Sequence, residues 1–361
     1  MSLLFTPGKI GALTLPNRLV RSATAERMAD ADGRPLPKMK ALYDELVRGG
    51  VGLIITGHIY VHPSGKCHPE MTGIYADNLI PDLADLTRIV HQGGGKVAAQ
   101  INHGGMQCSL ETVSETIAPS AINAPFLEQS AREMTVDEIE AMIQAYRQAA
   151  RRVQEAGFDA VQLHGAHGYF INQFLSPYVN RRTDEWGGDF QRRTRFLREV
   201  CRSVRQQVGD DYPVFIKFGM EDGVEGGLSA EEGAKVIALM KDIGLDGVEI
   251  SGGVRGGRVP SIKKGIKSEE HEAYFLPLAK IARPVTDIPV ILVGGMRSRN
   301  MMEQVLADGD ADFISMSRPL ICEPDLPNRM RSGGQEKSRC ISANNCWSEN
   351  PGEGIACKCP L

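Results

Sequence analysis

The sequence predicts a single (β/α)₈ barrel, an α/β fold. Three observations predict it: eight short apolar runs recur along the chain, amphipathic stretches separate them, and composition does not break between the first and the last. The runs are Arg18–Ser22, Val51–Ile55, Lys96–Gln100, Asp159–His164, Pro213–Lys217, Gly247–Ser251, Pro289–Val293 and Ala311–Ser315. Short runs rich in Val, Ile and Leu suit parallel strands buried on both faces. No Gly-x-Gly-x-x-Gly follows the first run, which argues against a doubly wound dinucleotide-binding sheet.

The segments between the runs read as helices. Over 136–156, Ile139, Met142, Ile143, Tyr146 and Ala150 fall at three- and four-residue spacing, which puts them on one face. Thr135…Glu138 and Ser229…Glu232 have the spacing of capping boxes, in which two side chains satisfy orphan N–H groups at a helix start. Residues 104–134 after the third run and 168–189 after the fourth are too long for simple turns. Both leave the C-terminal ends of strands, where barrel enzymes build their sites, so they are expected to be cap and specificity loops. The barrel is expected to occupy residues 1–335, with 336–361 as a Cys-rich tail packed on or extending from it.

A chain of 361 residues, 42% hydrophobic, can bury roughly three quarters of the surface its unfolded form exposes. Its formal net charge of −4, with both signs interspersed, points to no nucleic-acid partner. The start, MSLLFTPGKIG, lacks a basic segment followed by an apolar one, and no run reaches membrane-spanning length. The expectation is a cytoplasmic protein with no membrane partner, a small-molecule substrate and homo-oligomeric assembly. Eight Cys in a chain this long do not read as a disulfide framework.

The most informative stretch is His164-Gly-Ala-His167-Gly-Tyr169, which ends the fourth run with two imidazoles and a phenol. Imidazole N–H groups can hold an oxygen that gains negative charge, and a phenol keeps a transferable proton at neutral pH. That set suits polarising a carbonyl and protonating the carbon beside it. A metal-binding His pair, a structural His pair and a packing Tyr are the alternatives. The other strand ends carry Ala23-Thr24-Ala25-Glu26-Arg27, Thr56-Gly57-His58, Gln100 with His103, Lys217, Ser251-Gly252-Gly253, Gly294-Gly295 and Ser317-Arg318. A buried Gln or Lys needs a partner, and a salt bridge is the plainer reading of Lys217. Around one rim, these residues look like the lining of a ligand site. Glycines after the seventh strand and Ser-Arg after the eighth suit a phosphate. Gln100 could read an imide-like edge by donating and accepting together, and Lys217 could face an electron-rich edge. Flavin mononucleotide has both.

These residues resemble those of the Old Yellow Enzyme family of FMN-dependent NAD(P)H:flavin oxidoreductases and ene-reductases. The resemblance runs from LFTPGKIGALTLPNRLV through GVGLIIT, VAAQINHGG, HGAHGYFINQFLSPYVNRRTDEWGG and VFIKFGMEDGVEGG to VGGMRS and FISMSRPLICEPDLP. It implies FMN contacts from Ser22, Ala23, Thr24, Ala25, His58, Gln100, Lys217, Gly294, Gly295, Ser317 and Arg318. It implies that His164 and His167, with Arg27, bind substrate, and that Tyr169 donates the proton in the reduction of enones, enals, nitroalkenes or enoyl thioesters. Three positions depart from the family pattern. Ala25 stands where a Thr or Cys usually bonds flavin O4, His58 where a small residue is usual, and Met106 where an Arg is common.

The tail Cys340-Ile-Ser-Ala343-Asn-Asn-Cys346…Cys357-Lys-Cys359 resembles the [4Fe–4S] segment of the 2,4-dienoyl-CoA reductase and trimethylamine dehydrogenase branch. Ala343 stands at the second ligand position, and the chain stops where that branch continues into further nucleotide-binding domains. Unliganded, reduced thiols are therefore expected, with a [4Fe–4S] cluster or a Cys₄ zinc site as alternatives. Two other functions compete with the ene-reductase reading: a metal-dependent barrel hydrolase or aldolase, and a flavin or iron–sulfur electron-transfer protein.

Overall fold

A computed structural model describes residues 2–124, 129–348, 350 and 352–359. Eight parallel strands close into a barrel. They are β1 (Leu19–Arg21), β2 (Leu53–Ile55), β3 (Val97–Asn102), β4 (Ala160–Gly165), β5 (Val214–Gly219), β6 (Val248–Ser251), β7 (Val290–Val293) and β8 (Phe313–Met316). Each pairs with the next, and β8 returns to β1 through Ile314↔Leu19. All eight predicted runs become barrel strands, displaced by a residue or two at their ends. The outer helices are α1 (Pro37–Arg48), α2 (Ile80–Gln92), α3 (Val136–Glu155), α4 (Arg195–Val208), α5 (Ala230–Leu239), α6 (Leu276–Ala282) and α7 (Arg299–Ala307). No helix among the described residues is long and apolar enough to cross a membrane.

Two apolar layers form because successive side chains of a barrel strand alternate between the interior and the helices. Inside the barrel, Val20, Leu53, Ala98, Ala160, Phe215, Ile291 and Phe313 pack with Ile10, Leu13 and Leu15. These last three come from an antiparallel hairpin, Gly8–Ile10 with Leu13–Leu15. Phe313 packs so closely on Gly8 that a Cβ there would lie 2.6 Å from the ring. The N-terminal end is thus filled with apolar side chains, leaving the opposite end for polar groups.

The capping box at Thr135 and Glu138 is complete, with both reciprocal bonds present. At α5 only half forms: Ser229 accepts from the Glu232 N–H. Arg193 instead takes the Glu232 carboxylate, at 2.6 Å. The predicted loop 104–134 contains a small sheet, Thr116–Ala118, Ile122–Ala124 and Gln129–Glu133. Its alternation was hidden by short strands and by Ser and Pro at their ends. Met106 packs there with Ala118, Ile122, Ala131 and Val179. Residues 168–189 open with a short helix, Phe170–Leu175, whose Phe174 ring stacks on Phe196 of α4 at 4.2 Å.

Candidate active site

Parallel register stacks the polar residues of neighbouring strands side by side. Gln100 is level with Gln162, His164 with Lys217, and Lys217 with Glu249. The result is a continuous buried network. The Gln100 side-chain amide donates to Gln162 Oε1 at 2.7 Å, and that of Gln162 donates to Glu249 Oε2 at 2.9 Å. Lys217 Nζ donates to Ser22 Oγ at 2.8 Å and to Glu249 Oε1 at 3.2 Å. The hydroxyls of Ser22 and Ser315 also donate to Glu249 Oε1, at 2.6 and 2.9 Å. Burial alone would push the Glu249 carboxyl up; Lys217, Ser22, Gln162 and Ser315 outweigh it and hold it below the usual carboxylate range. The salt-bridge reading of Lys217 is therefore correct, and Lys217 also lines the cavity above.

That cavity, of about 620 Å³, opens over the network at the C-terminal ends of the strands. Ser22, Ala23, Thr24, Ala25, Arg27, His58, Gln100, His164, His167, Tyr169, Lys217, Gly295, Ser317 and Arg318 all line it. Gly294 does not; it precedes Gly295 with φ +133° and its carbonyl accepts from the Tyr274 N–H. His103, expected on the rim from its place after the third strand, turns away: its Nε2 meets Ser64 Oγ at 3.0 Å and its ring packs on Phe170 at 4.5 Å.

The turn after β4 is fixed from several sides. His167 has a left-handed φ of +61°, a costly conformation for a side-chain-bearing residue that its surroundings must enforce. The Gln107 side chain donates to the His167 carbonyl at 2.8 Å, and Gly168 N–H donates to Asn172 Oδ1 at 2.6 Å. The Gln173 side chain bridges the carbonyls of Gly168 and Gly104. Tyr169 is the N-cap residue of the helix Phe170–Leu175.

The ring positions follow from this turn. The rings of His164 and His167 meet edge to face at 5.5 Å, and Tyr169 lies 4.8 Å from His164 and 5.1 Å from His58. The Ala166 N–H donates to His164 Nδ1 at 3.4 Å, which leaves Nε2 to carry the proton and act as donor. His167 is held through Nε2 by Ser251 Oγ at 2.7 Å. Burial first, then the neighbouring charges, push His164 well below its usual range and His167 down to about 3. Burial lowers His58 to about 3 as well. All three are neutral at pH 7. Burial raises the Tyr169 hydroxyl, the Cys67 and Cys108 thiols raise it further, and Arg255 and Arg27 pull the other way. The phenol stays protonated.

Sequence reasoning missed Glu249, Gln162, His68, Ser342 and Trp347. The Trp347 indole N–H donates to the Ala25 carbonyl at 3.1 Å, so the Cys-rich segment crosses the cavity mouth. Among the described residues no group of three or more His, Cys, Asp or Glu side chains is arranged to hold a metal ion. In the tail, burial first and then Cys340 and Cys357 raise the Cys346 thiol to about 11. Burial and then Cys357 push up Cys322, which the motif did not include.

The donor set suits FMN. A flat ring could lie over Lys217 and the Gln100 amide, and a phosphate could meet the Gly295 and Arg318 side of the cavity. Arg318 is already held there by the carbonyls of Lys263 and Ser342 and by Asn344.

Residues 3–337 match the model of the NADH:flavin oxidoreductase / NADH oxidase family. The chain is 37% identical over 345 residues to an NADH oxidase of Thermoanaerobacter brockii, covering 94% of this chain and 52% of that protein. It is 36% identical to an NADPH dehydrogenase of Geobacillus sp. (strain WCH70), covering 95% of this chain and 97% of the relative. The chain thus spans about half the length of some curated relatives and nearly all of others. Among solved structures, the old yellow enzyme homologue from Zymomonas mobilis superposes with a TM-score of 0.81 at 27% identity, covering 94% of this chain and 95% of that one. A 2-naphthoyl-CoA reductase complexed with 2-naphthoyl-CoA superposes at 0.86 and 30% identity, covering 92% of this chain and 52% of that one.

Proposed function

Because the chain belongs to the NADH:flavin oxidoreductase / NADH oxidase family, we propose that it is an FMN-dependent NAD(P)H oxidoreductase that reduces the C=C bond of activated alkenes. The observation that carries the reading is the placement of Tyr169, a protonated phenol, beside the neutral imidazole of His164, which in turn meets that of His167, in the cavity that Lys217 and Gln100 also line. When bound, the flavin supplies reversible hydride storage between NAD(P)H and the alkene.

The residues of the chain do the rest. Ser22, Ala23, Thr24, Ala25, His58, Gln100, Lys217, Gly295, Ser317 and Arg318 hold the cofactor, with Gly294 shaping the turn that presents Gly295. His164, donating from Nε2, and His167 hold the carbonyl, nitro or thioester oxygen of the substrate. Charge builds on that oxygen as the β-carbon is reduced, and oriented donors in a dry cavity stabilise it more than water would. Tyr169 then gives its proton to the α-carbon. Neutral imidazoles suit this division of labour, since they stabilise the oxygen without competing as the proton source.

Product analysis tests the reading. With NAD(P)H and an α,β-unsaturated ketone, a saturated ketone is expected; unreacted enone or an allylic alcohol would overturn it.

A further inference from the structure

The loop after β6 carries charge out of keeping with the rest of the molecule. Between Val254 and Lys267 stand Arg255, Arg258, Lys263, Lys264 and Lys267, with no Asp or Glu, in a chain of net charge −4. The loop is part of the site. Its Ser261 and Ile262 line the cavity, and Ile262 stays 46% exposed although apolar. Three further cations bond its backbone rather than its side chains. Arg318 donates to the Lys263 carbonyl, Arg297 to that of Ile266 and Lys337 to that of Lys267.

The loop's own cations have no carboxylate partners among the described residues. The acids that follow it turn elsewhere: Glu269 accepts from Asn300, and Glu270 from Ser268. Lys263 lies over the Tyr274 ring at 5.1 Å. Across the rim, Arg27 lines the cavity with a left-handed φ of +54° and likewise has no ion-pair partner among the described residues. The loop begins against the turn that carries Tyr169: a Cβ on Gly168 would lie 3.5 Å from the Cβ of Val254, the residue before Arg255, and Arg255 and Arg27 both pull the Tyr169 hydroxyl downward against burial. Unpaired cations at the low-dielectric mouth of a cleft focus potential into it and raise the local concentration of anions.

We propose that Arg27 and the loop cations, Arg255 foremost, form an anion-binding mouth that takes the phosphate-bearing nucleotide tail of a ligand whose reactive end lies beside Tyr169. The shared chemistry is an adenosine diphosphate with a further phosphate, carried either by NADPH or by a coenzyme A thioester. The proposal rests on the flavin reading of the cavity and adds a substrate class to it. A small neutral enone would use the His pair alone, whereas a tailed substrate would also engage the mouth.

Equilibrium binding to the oxidised holoprotein tests it without turnover. Coenzyme A is compared with pantetheine, and NADP⁺ with nicotinamide mononucleotide. Raising ionic strength from about 0.01 M to about 0.15 M shortens the Debye length from about 30 Å to about 8 Å. At least one tailed ligand should bind about tenfold more tightly than its truncated partner, with the gap narrowing over that range. In the double variant Arg255→Gln/Lys264→Gln, the same ratio should fall about three- to tenfold, with flavin absorbance reporting that the fold is intact. A gap confined to coenzyme A assigns the mouth to a thioester substrate, and one confined to NADP⁺ assigns it to the reductant. Equal affinities for tailed and truncated ligands, or a gap that neither salt nor the variant changes, would overturn the mouth. A protein that binds no flavin would instead overturn the parent reading, while the tail comparison could still be made.

Discussion

The ring of Tyr169 lies 4.8 Å from that of His164, centroid to centroid, although one residue caps a helix and the other is the penultimate residue of a strand. The four residues between them, Gly165 to Gly168, turn the chain back on itself to achieve this, at the cost of a left-handed His167. The proposed proton donor and the proposed oxygen-binding group therefore share one rigid unit.

Tyr169→Phe should leave flavin reduction by NAD(P)H nearly intact and slow the reaction with alkene. General acid catalysis typically contributes ~10²–10⁴-fold, and the loss should fall in that range in single-turnover kinetics. An unchanged oxidative half-reaction would assign the proton to water or another group.

Replacing His164 and His167 by Ala should weaken binding of phenolic inhibitors while FMN stays bound. Each hydrogen bond to a bound phenolate is worth ~1.5–3 kcal/mol, so the dissociation constant should rise at least about tenfold per residue. Unchanged inhibitor affinity would remove the His pair from the oxygen site.

Ala25 offers no side-chain donor to a flavin carbonyl, and its own carbonyl is occupied by Trp347. Thr24 next to it is committed to the Ser22 carbonyl and to Ser317. Ala25→Thr should add about one hydrogen bond to the electron-rich reduced flavin, ~1 kcal/mol. For a two-electron couple this raises the potential by roughly 20 mV. Spectroelectrochemical titration that finds no change would show that another donor already serves the carbonyl.

Acid should destabilise the protein through its buried imidazoles. His58, His103 and His167 are each lowered to about 3, chiefly by burial. Below the unfolded value of about 6.5, the unfolded chain binds protons that the folded one refuses. Each such His then removes ~1.4 kcal/mol of stability per pH unit between about 6.5 and about 3, and has no effect above that window. Thermal midpoints should be flat from pH 7 to 8 and fall below pH 6. His103→Asn should make that fall shallower; an unchanged slope would contradict the assignment.

The barrel was legible because strands buried on both faces show up as apolar runs regardless of register. The rim was legible because polar residues at strand ends stand out against those runs. Glu249 was not, because Val248-Glu249-Ile250-Ser251 reads equally well as a strand with a solvated Glu. The missing signal was parity: Glu249 is two residues from Ser251, which lines the cavity, and a two-residue step returns to the same face. The same step joins Gln162 to His164. Trp347 and Ser342 could not be placed, since nothing local in a Cys-rich tail specifies that it crosses the mouth. Arg255 was passed over because a solvated surface loop and a ligand-facing one have the same composition.

The central claim, that this site passes hydride from NAD(P)H to an alkene through bound FMN, is tested most directly by an anaerobic spectral titration of the purified protein. The account predicts a yellow protein whose flavin absorbance is bleached by one equivalent of NAD(P)H and restored by one equivalent of an enone. A protein that holds no flavin, or one whose reduced flavin an enone leaves bleached, would contradict it.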